Sequence, residues 1–405
     1  MKAVVFTLGC KVNEVESASI MSALEAAGWE VGDSLGYADA YILNTCAVTR
    51  EAEKKSRQLV ARVRKFNPEA AVFVCGCASQ KDDASFRKKG VTFVTGARKK
   101  EEVVSTFSRV FGCADCGLPY PKQVKTRAFV KIQDGCNNFC SYCIIPYLRG
   151  RETSRPQDDI VNEVLNTDSA EIVLTGINIS SYNKGDLVPL VSALRGVDKR
   201  IRFGSLECNV ITDGFLQALA DLKDFAPQFH LSLQSGSDAV LKAMNRRYTR
   251  AEYLEKCAKI YSRFPDAAIT TDIISGFPTE TEQDFNQSLS IIEEAGFARV
   301  HAFSFSPREG TAAFKMRGLE DGIKERRLKA LLTASESCSQ KYIERFCGSE
   351  QIIIAEDFNM GFTSGYTGNY IRVYVPEKLD SGIKYKVKLK QIFKDGVSGE
   401  TDGKN

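Results

Sequence analysis

Apolar positions along the chain fall into two alternating stretches and a tail. Over residues 1–112, short apolar runs AVVF (3–6), AYIL (40–43) and AVFV (71–74) are separated by 14–27 and 50–66, where apolar residues recur at helical spacing. Such runs predict buried strands, and their alternation with helices predicts a parallel sheet covered on both faces. Residues 113–126, CADCGLPYPKQVKT, carry two prolines, a glycine and no periodicity, and read as a linker. A second alternation comes next. Its strands are AFVKIQ (128–133), EIVLTG (171–176), IRFGSL (201–206), FHLSLQ (229–234), AITTDIISG (268–276) and ARVHAFSFS (298–306), with helices expected at 157–166, 249–263 and 280–296. Six βα units are too few for an eight-fold barrel and predict a partial one, with functional residues at the C-terminal strand ends. From about residue 350, QIIIAE, GYTGNYIRVYV and KYKVKLKQIF alternate like strands, with glycine and aspartate at the breaks. They predict a small all-β barrel. The fold class is therefore α/β, divided into an N-terminal parallel-sheet domain (1–112), a linker (113–126), a partial (β/α)6 barrel (127–349) and a β-barrel tail (350–405).

Composition narrows this little. The 405 residues are 43% hydrophobic and 26% charged, which excludes disordered and fibrous classes. A net charge of +4 is too mild to indicate a nucleic-acid partner by itself. No stretch approaches the roughly 20 apolar residues of a membrane span. The opening MKAVVFTLGC reads as a strand and turn and not as a signal segment, so a soluble, cytoplasmic protein with no membrane partner is expected. The first turn, TLGCKVN, lacks the GxGxxG pattern, which argues against a nicotinamide-binding sheet.

The thirteen cysteines change the picture. In a reduced compartment they suggest metal or redox chemistry more than disulfides. Cys136, Cys140 and Cys143 stand in CxxxCxxC spacing directly after the first barrel strand. A four-iron cluster takes four thiolates, so three in one loop leave one iron open to a substrate or cofactor. A zinc site is the competing reading, but zinc motifs pair two CxxC-type elements and no second pair lies nearby. Cys10, Cys46 and Cys77 each come after a candidate strand of the N-terminal sheet, and parallel strand ends converge where ligands bind. Three thiols there can hold a second cluster; singly, each would read as a small buried hydrophobe. Cys113 and Cys116 form an isolated CxxC, read as incidental, and Cys208, Cys257, Cys338 and Cys347 stand alone. His230 and His301 read as satisfied interior histidines. In KYKVKLK, period two puts Lys384, Lys386, Lys388 and Lys390 on one strand face. That face is either a solubilising edge or a phosphate-tracking surface.

The CxxxCxxC loop, with Tyr142 before its last cysteine, resembles the radical S-adenosylmethionine superfamily. By that resemblance the open iron chelates S-adenosylmethionine, and one electron from the cluster releases a 5′-deoxyadenosyl radical. TGIN (175–178), QSGSD (234–238) and TDIISGFPTET (271–281) occupy the places of the cofactor-lining motifs, which assigns Gly176, Asn178, Gln234, Ser235 and Asp272, with Tyr142, to cofactor binding. TLGCKVNEVES (7–17), NTCAVTREAEKKSRQ (44–58), GCASQ (76–80), RGRETSRP (149–156), EIVLTGINISSY (171–182) and FSFSPREGTAA (303–313) closely resemble the methylthiotransferases over nearly the whole chain. The resemblance makes Cys10, Cys46 and Cys77 the ligands of an auxiliary cluster that carries or donates sulfur, with Cys75 in the core. GYTGNYIRVYV (365–375) resembles the RNA-binding TRAM domain and offers Tyr366, Tyr370 and Arg372 for base or phosphate contact.

The same resemblance implies two [4Fe-4S] clusters, S-adenosylmethionine, tRNA bound through its anticodon loop, and an electron donor such as flavodoxin or ferredoxin. One S-adenosylmethionine methylates sulfur and a second activates C2 of an adenine, whose C–H bond is too strong for polar chemistry. The forms GCKVNxxES, NTCAVTxxAxxKSRQ and GYTxNYIRV most resemble the branch acting on N6-threonylcarbamoyladenosine. Branches acting on isopentenyl-adenosine or on a ribosomal-protein aspartate are the alternatives, and a non-catalytic iron–sulfur RNA-binding protein is the alternative of another class.

Overall fold

A computed structural model describes residues 1–123 and 126–404. Residues 124 and 125 of the expected linker and the last residue of the tail lie outside the described residues. The chain forms two compact units. The first comprises Met1–Gln123, Gln133–Thr153 and Ser306–Phe314. The second comprises residues 126–132, Ser154–Phe305 and 315–404.

The first unit is built on strands β1 (Lys2–Thr7), β2 (Glu30–Gly32), β3 (Ala40–Thr45), β4 (Ala71–Gly76) and β5 (Phe93–Val94), all parallel, in the order β2-β1-β3-β4-β5. The three strands expected from apolar runs are its centre. All six residues of β3 are buried, as a central strand covered on both faces requires. On one face Phe73 and Cys75 pack with Trp29 and Phe107, whose rings meet edge to face at 4.8 Å. On the other, Val72, Val74 and Cys77 pack with Leu59 and Val63 of helix Arg50–Arg64. Thr49 caps that helix by accepting from Ala52 N at 3.1 Å.

The second unit carries β6 (Arg127–Asp134), whose last two residues count with the first unit, then β7 (Thr153–Ser154), β8 (Glu171–Gly176), β9 (Arg200–Phe203), β10 (Ser205–Leu206), β11 (Gln228–Leu231), β12 (Ala268–Ser275) and β13 (Arg299–Ser304). They form two sheets, β7-β6-β8-β9 and β10-β11-β12-β13, with parallel β8–β9, β10–β11, β11–β12 and β12–β13 pairs. All six expected strands are present. The third is broken into β9 and β10 at Gly204, whose N–H donates to Leu174 O at 2.8 Å. A 24-residue helix, Asp321–Glu344, precedes the tail and is not among the elements expected from sequence. The tail is a closed barrel, β14-β15-β16-β18-β17, of β14 (Glu350–Asn359), β15 (Phe362–Thr367), β16 (Arg372–Val375), β17 (Lys384–Phe393) and β18 (Gly396–Lys404). Ile353, Val373, Val387 and Leu389 fill it, packed with Tyr342 and Phe346 at the end of the long helix.

The tail is seated on the N-terminal ends of the barrel strands. Glu171 at the start of β8 bonds Arg202 at 2.8 and 3.0 Å and Arg127 at 2.5 Å. Burial opposes its charge, but Arg202, Arg127 and Arg200 hold it at about 2. Arg200 reaches Tyr366 O and Ile352 O, each at 3.3 Å. Tyr366 and Tyr370 stack on each other at 4.7 Å, with Arg202 4.8 Å over Tyr370. These two rings, candidates for base stacking, are thus engaged with arginines of the strand barrel.

Candidate functional site

In the first unit, Cys10, Cys46 and Cys77 all stand at the C-terminal edge of the parallel sheet. Cys10, three residues past β1, is the N-cap residue of helix Lys11–Ala26. Cys46 comes directly after β3, and Cys77 opens the short helix Cys77–Lys81 after β4. The strands are neighbours, so the three thiols share one edge. A Cβ on Gly9 would lie 3.2 Å from Cys46 Sγ, which measures how closely the Cys10 turn abuts Cys46. Cys46 and Cys77 are buried and Cys10 is exposed, so the triad opens to solvent on one side. Cys75, the penultimate residue of β4, is wholly buried on the opposite face among Phe73 and Phe107.

Burial pushes the Cys46 and Cys77 thiols up, opposed at Cys77 by Arg149 and Lys100. A coordinating metal removes the proton outright, so the donor set fits an iron cluster. Among the described residues no three His, Cys, Asp or Glu side chains converge on a single ion position. A cubane spreads its thiolates over separate iron corners and needs no such convergence.

Cys136, Cys140 and Cys143 belong to the same unit. Their loop is fixed by its own backbone: Cys136 N donates to Gly150 O at 3.0 Å and Cys143 N to Cys140 O at 3.0 Å. Asn138 N–H points at Cys136 Sγ from 3.5 Å, the kind of amide contact that favours a thiolate. Tyr142, between Ser141 and Cys143 in this loop, is half-buried.

Arg149, at the end of helix Ile145–Arg149, connects the two triads. Its guanidinium bonds Glu16 at 2.9 and 3.2 Å, Asn13 at 2.6 Å and Asp134 at 3.1 Å, and its charge favours the thiolate form of Cys77. Glu16 and Asn13 lie on the helix that Cys10 caps, and Asp134 precedes Cys136 by two residues. Lys100, also buried, bonds Asn44 at 2.6 Å and Glu16 at 3.1 Å. Asn13 in turn holds Leu8 O at 2.7 Å and Thr45 O at 3.2 Å, the carbonyls leading into Cys10 and Cys46. Sequence reasoning missed this network, because RGR (149–151) and NEVES (13–17) enter it only as parts of the resemblance. The available signal was an ionisable residue inside a helical apolar stripe, which globular helices bury only when it is paired.

A second buried cluster anchors the segment 306–314. Glu53 accepts from Arg308, from Arg57 at 2.6 Å and from Lys81 at 3.1 Å. Burial alone would raise Glu53, but the three cations hold it at about 2.

In the second unit, Gly176 ends β8, and Asn178 O accepts from Ser181 N at 3.0 Å. Gln234 has φ +73, a left-handed conformation that costs a non-glycine residue energy, and is held by Gln234 N→Asp272 O at 2.8 Å and Ile274 N→Gln234 O at 2.9 Å. Asp272 faces His230, whose Nε2 lies 3.2 Å from Oδ2 while Nδ1 meets Thr270 at 3.0 Å. His230 is thus satisfied within the barrel. Ser235 is buried, and its hydroxyl is shared between Ser288 (3.3 Å) and Ser237 N (3.2 Å), so it serves the packing of the QSGSD turn on helix Glu282–Glu294. On β17, Tyr385, Val387 and Leu389 point inward and the four lysines outward, as the alternation predicts. Lys384 pairs with Asp224 at 2.9 Å, Lys386 with Glu350 at 2.6 Å and Lys390 with Glu400. Arg372 pairs with Asp395 at 3.0 Å.

Comparison with known proteins bears on the fold and the family. The Radical SAM superfamily model matches residues 130–292, and that of the uncharacterized protein family UPF0004 matches residues 2–96. The fold is similar to that of TsrM, a radical S-adenosylmethionine methyltransferase from Kitasatospora setae solved with cobalamin and a [4Fe-4S] cluster bound. The TM-score is 0.55 at 12% identity, over 90% of this chain and 81% of that one. Fold and motif define a radical S-adenosylmethionine enzyme that uses S-adenosylmethionine and iron–sulfur clusters. The chain is 35% identical to the threonylcarbamoyladenosine tRNA methylthiotransferase MtaB of Thermotoga maritima (96% of this chain, 95% of the relative). It is 34% identical to the MtaB of Bacillus subtilis (91% and 88%). It is 33% identical to the tRNA-2-methylthio-N(6)-dimethylallyladenosine synthase of Thermodesulfovibrio yellowstonii (97% and 97%). The chain belongs to the tRNA methylthiotransferase family of radical S-adenosylmethionine enzymes.

Proposed function

We propose that the enzyme places a methylthio group on C2 of N6-threonylcarbamoyladenosine at position 37 of tRNA, next to the anticodon. The observation that carries the reading is the pair of cysteine triads held in one unit and joined through Arg149. One triad suits the cluster that cleaves S-adenosylmethionine and the other an auxiliary cluster that handles sulfur. When bound, the two [4Fe-4S] clusters and S-adenosylmethionine supply the 5′-deoxyadenosyl radical and the methylated sulfur. The chain's own residues do the remaining work. Cys136, Cys140 and Cys143 hold one cluster, with an open iron, and Cys10, Cys46 and Cys77 hold the other. Arg149 and Lys100 place buried positive charge beside the thiolates of the auxiliary site. Gly176, Asn178, Gln234 and Asp272, with Tyr142, are the cofactor-binding candidates; Ser235 supports the turn that carries Gln234.

The choice of nucleoside rests on motif form. Relatives named for threonylcarbamoyladenosine and for dimethylallyladenosine differ by only one or two per cent in identity. The sequences GCKVNEVES and GYTGNYIRV favour the former. The tail acts as a TRAM-like domain that holds tRNA, with Lys384, Lys386, Lys390 and Arg372 exchanging their carboxylate partners for phosphates and Lys388 taking a phosphate directly. The reaction takes place in the cytoplasm, with electrons from a carrier such as flavodoxin or ferredoxin and the anticodon loop as the RNA element engaged.

Mass spectrometry of tRNA nucleosides from a strain lacking the gene tests this. Loss of 2-methylthio-N6-threonylcarbamoyladenosine, restored by the wild-type gene and not by a Cys136→Ala variant, is the expected result. Loss of the methylthio-isopentenyl nucleoside would reassign the substrate. An unchanged tRNA with an altered ribosomal-protein aspartate would move the enzyme to another branch.

A further inference from the structure

The radical loop presents aromatic and cationic groups that neither cluster uses. Tyr147 is 53% exposed although it lies in the short, otherwise largely buried helix Ile145–Arg149. Its ring meets Phe139 edge to face, centroids 5.5 Å apart at 81°. Phe139, inside the CxxxC spacing, has φ +46, a conformation that a bulky residue adopts only when its surroundings impose it. Over the Phe139 ring sits the Arg151 guanidinium at 4.8 Å, with a long 3.5 Å contact to Asn137 as its hydrogen bond. Arg98 packs on Gly150, where a Cβ would come within 2.4 Å of its Cζ. Among the described residues Arg98 makes no ion pair or side-chain hydrogen bond, although it is exposed.

An exposed ring on an aromatic support that carries Arg151, with Arg98 packed on Gly150 just past the same short helix and neither arginine paired with a carboxylate among the described residues, has a specific complement. Bases of any identity stack on such rings, and arginines beside them take the phosphates. An acidic peptide would pair with the arginines but would leave the Tyr147 ring unused. We propose that Tyr147, supported by Phe139 and flanked by Arg98 and Arg151, is a stacking platform for an unpaired nucleotide of the RNA substrate. The inference rests on the tRNA-modifying reading above. It adds an RNA contact on the radical loop itself, separate from the tail. The contact is sequence-tolerant, because every base has a π-face, and it positions the RNA and takes no part in the chemistry.

The test uses full-length, reconstituted enzyme and two RNAs of equal length, an anticodon stem-loop and a fully paired duplex. Tyr147→Ala should weaken stem-loop binding roughly tenfold or more, and Tyr147→Trp should retain it. Arg98→Ala with Arg151→Ala should lower the log–log salt slope by about 0.7 for each phosphate no longer neutralised. Iron content and 5′-deoxyadenosine formation without RNA should stay at wild-type level in all three, since none of these residues is a cluster ligand. Wild-type affinity of Tyr147→Ala for the stem-loop overturns the proposal, and so does an equal loss on the duplex, which has no unpaired base. The two readings separate cleanly. A wild-type enzyme that makes no methylthio nucleoside, with Tyr147→Ala still losing stem-loop binding, removes the assigned reaction and leaves the platform. Normal product formation with unchanged binding does the reverse.

Discussion

Gly76 is the most informative position for a single methyl group. It precedes Cys77 with φ +108 and ψ −166, a region essentially restricted to glycine. A Cβ there would lie 2.4 Å from Thr45 O, 2.6 Å from Thr45 N and 2.8 Å from Asn44 Oδ1. Thr45 is the residue before Cys46, so the clash falls between the two strand ends that carry two of the three thiols. Backbone strain costs about 1–3 kcal/mol. Overpacking in a well-filled site adds about 1–3 kcal/mol. A ligand constellation tolerates displacements of about 0.5 Å, and relieving a 2.4 Å contact with backbone uses that margin. Gly76→Ala should therefore fold, with a thermal midpoint lower by on the order of 10 °C. It should reconstitute about four iron per chain where the wild type takes about eight. It should still cleave S-adenosylmethionine without RNA, because the radical loop is untouched. Gly90→Ala is the control: φ is +66 but open space surrounds the added methyl, so it carries strain alone and keeps its iron. Gly76→Ala with full iron and an unchanged midpoint would refute the argument that this close approach sets the spacing of Cys46 and Cys77.

Cys75→Ala should keep all its iron while losing about 1 kcal/mol or more of stability from a buried site, whereas Cys77→Ala should lose the auxiliary cluster; equal iron loss would place Cys75 among the ligands. Glu280 is buried, and burial outweighs Arg327 to push it up to about 7. Its folded value lies above its unfolded one, so its stabilisation is complete below the ordinary glutamate value and lost as pH rises through the folded one. Chemical denaturation from mildly acidic to mildly basic pH should show a loss of up to ~3 kcal/mol that Glu280→Gln abolishes; a parallel profile in the variant rejects the shift. Among the four outward lysines only Lys388 has no ion pair among the described residues. Lys388→Ala should reduce the salt dependence of tRNA binding more than Lys384→Ala does, and equal, negligible effects would return this strand to a solvated edge.

Much of the site is legible in the chain alone. Strand runs, CxxxCxxC spacing and cysteines after three successive apolar runs are local patterns, and local patterns survive in sequence. Period two on β17 likewise predicts which residues face outward. Cys75 and Cys77 are two residues apart across a strand end, where Cys77 already opens a helix and leaves the strand's face, so the choice between them rests in sequence on the glycine before Cys77 and not on packing. The tail tyrosines show the opposite case. Tyr366 and Tyr370 carry the composition of an RNA surface, but Arg127 and Arg202, more than 160 positions earlier, occupy them.

The sequence by itself determined the principal strands, the candidate cysteine triads and the family, because hydrophobic period and motif spacing are set by neighbours in the chain, while the long helix Asp321–Glu344 went unread. Only the tertiary structure decided which buried charges serve those cysteines. Arg149 reaches Glu16 across 133 positions and Lys100 reaches Asn44 across 56; in the same way Arg308, which anchors segment 306–314, reaches Glu53 across 255. A buried ion needs a partner wherever the chain can bring one, and no local pattern records which distant carboxylate that will be.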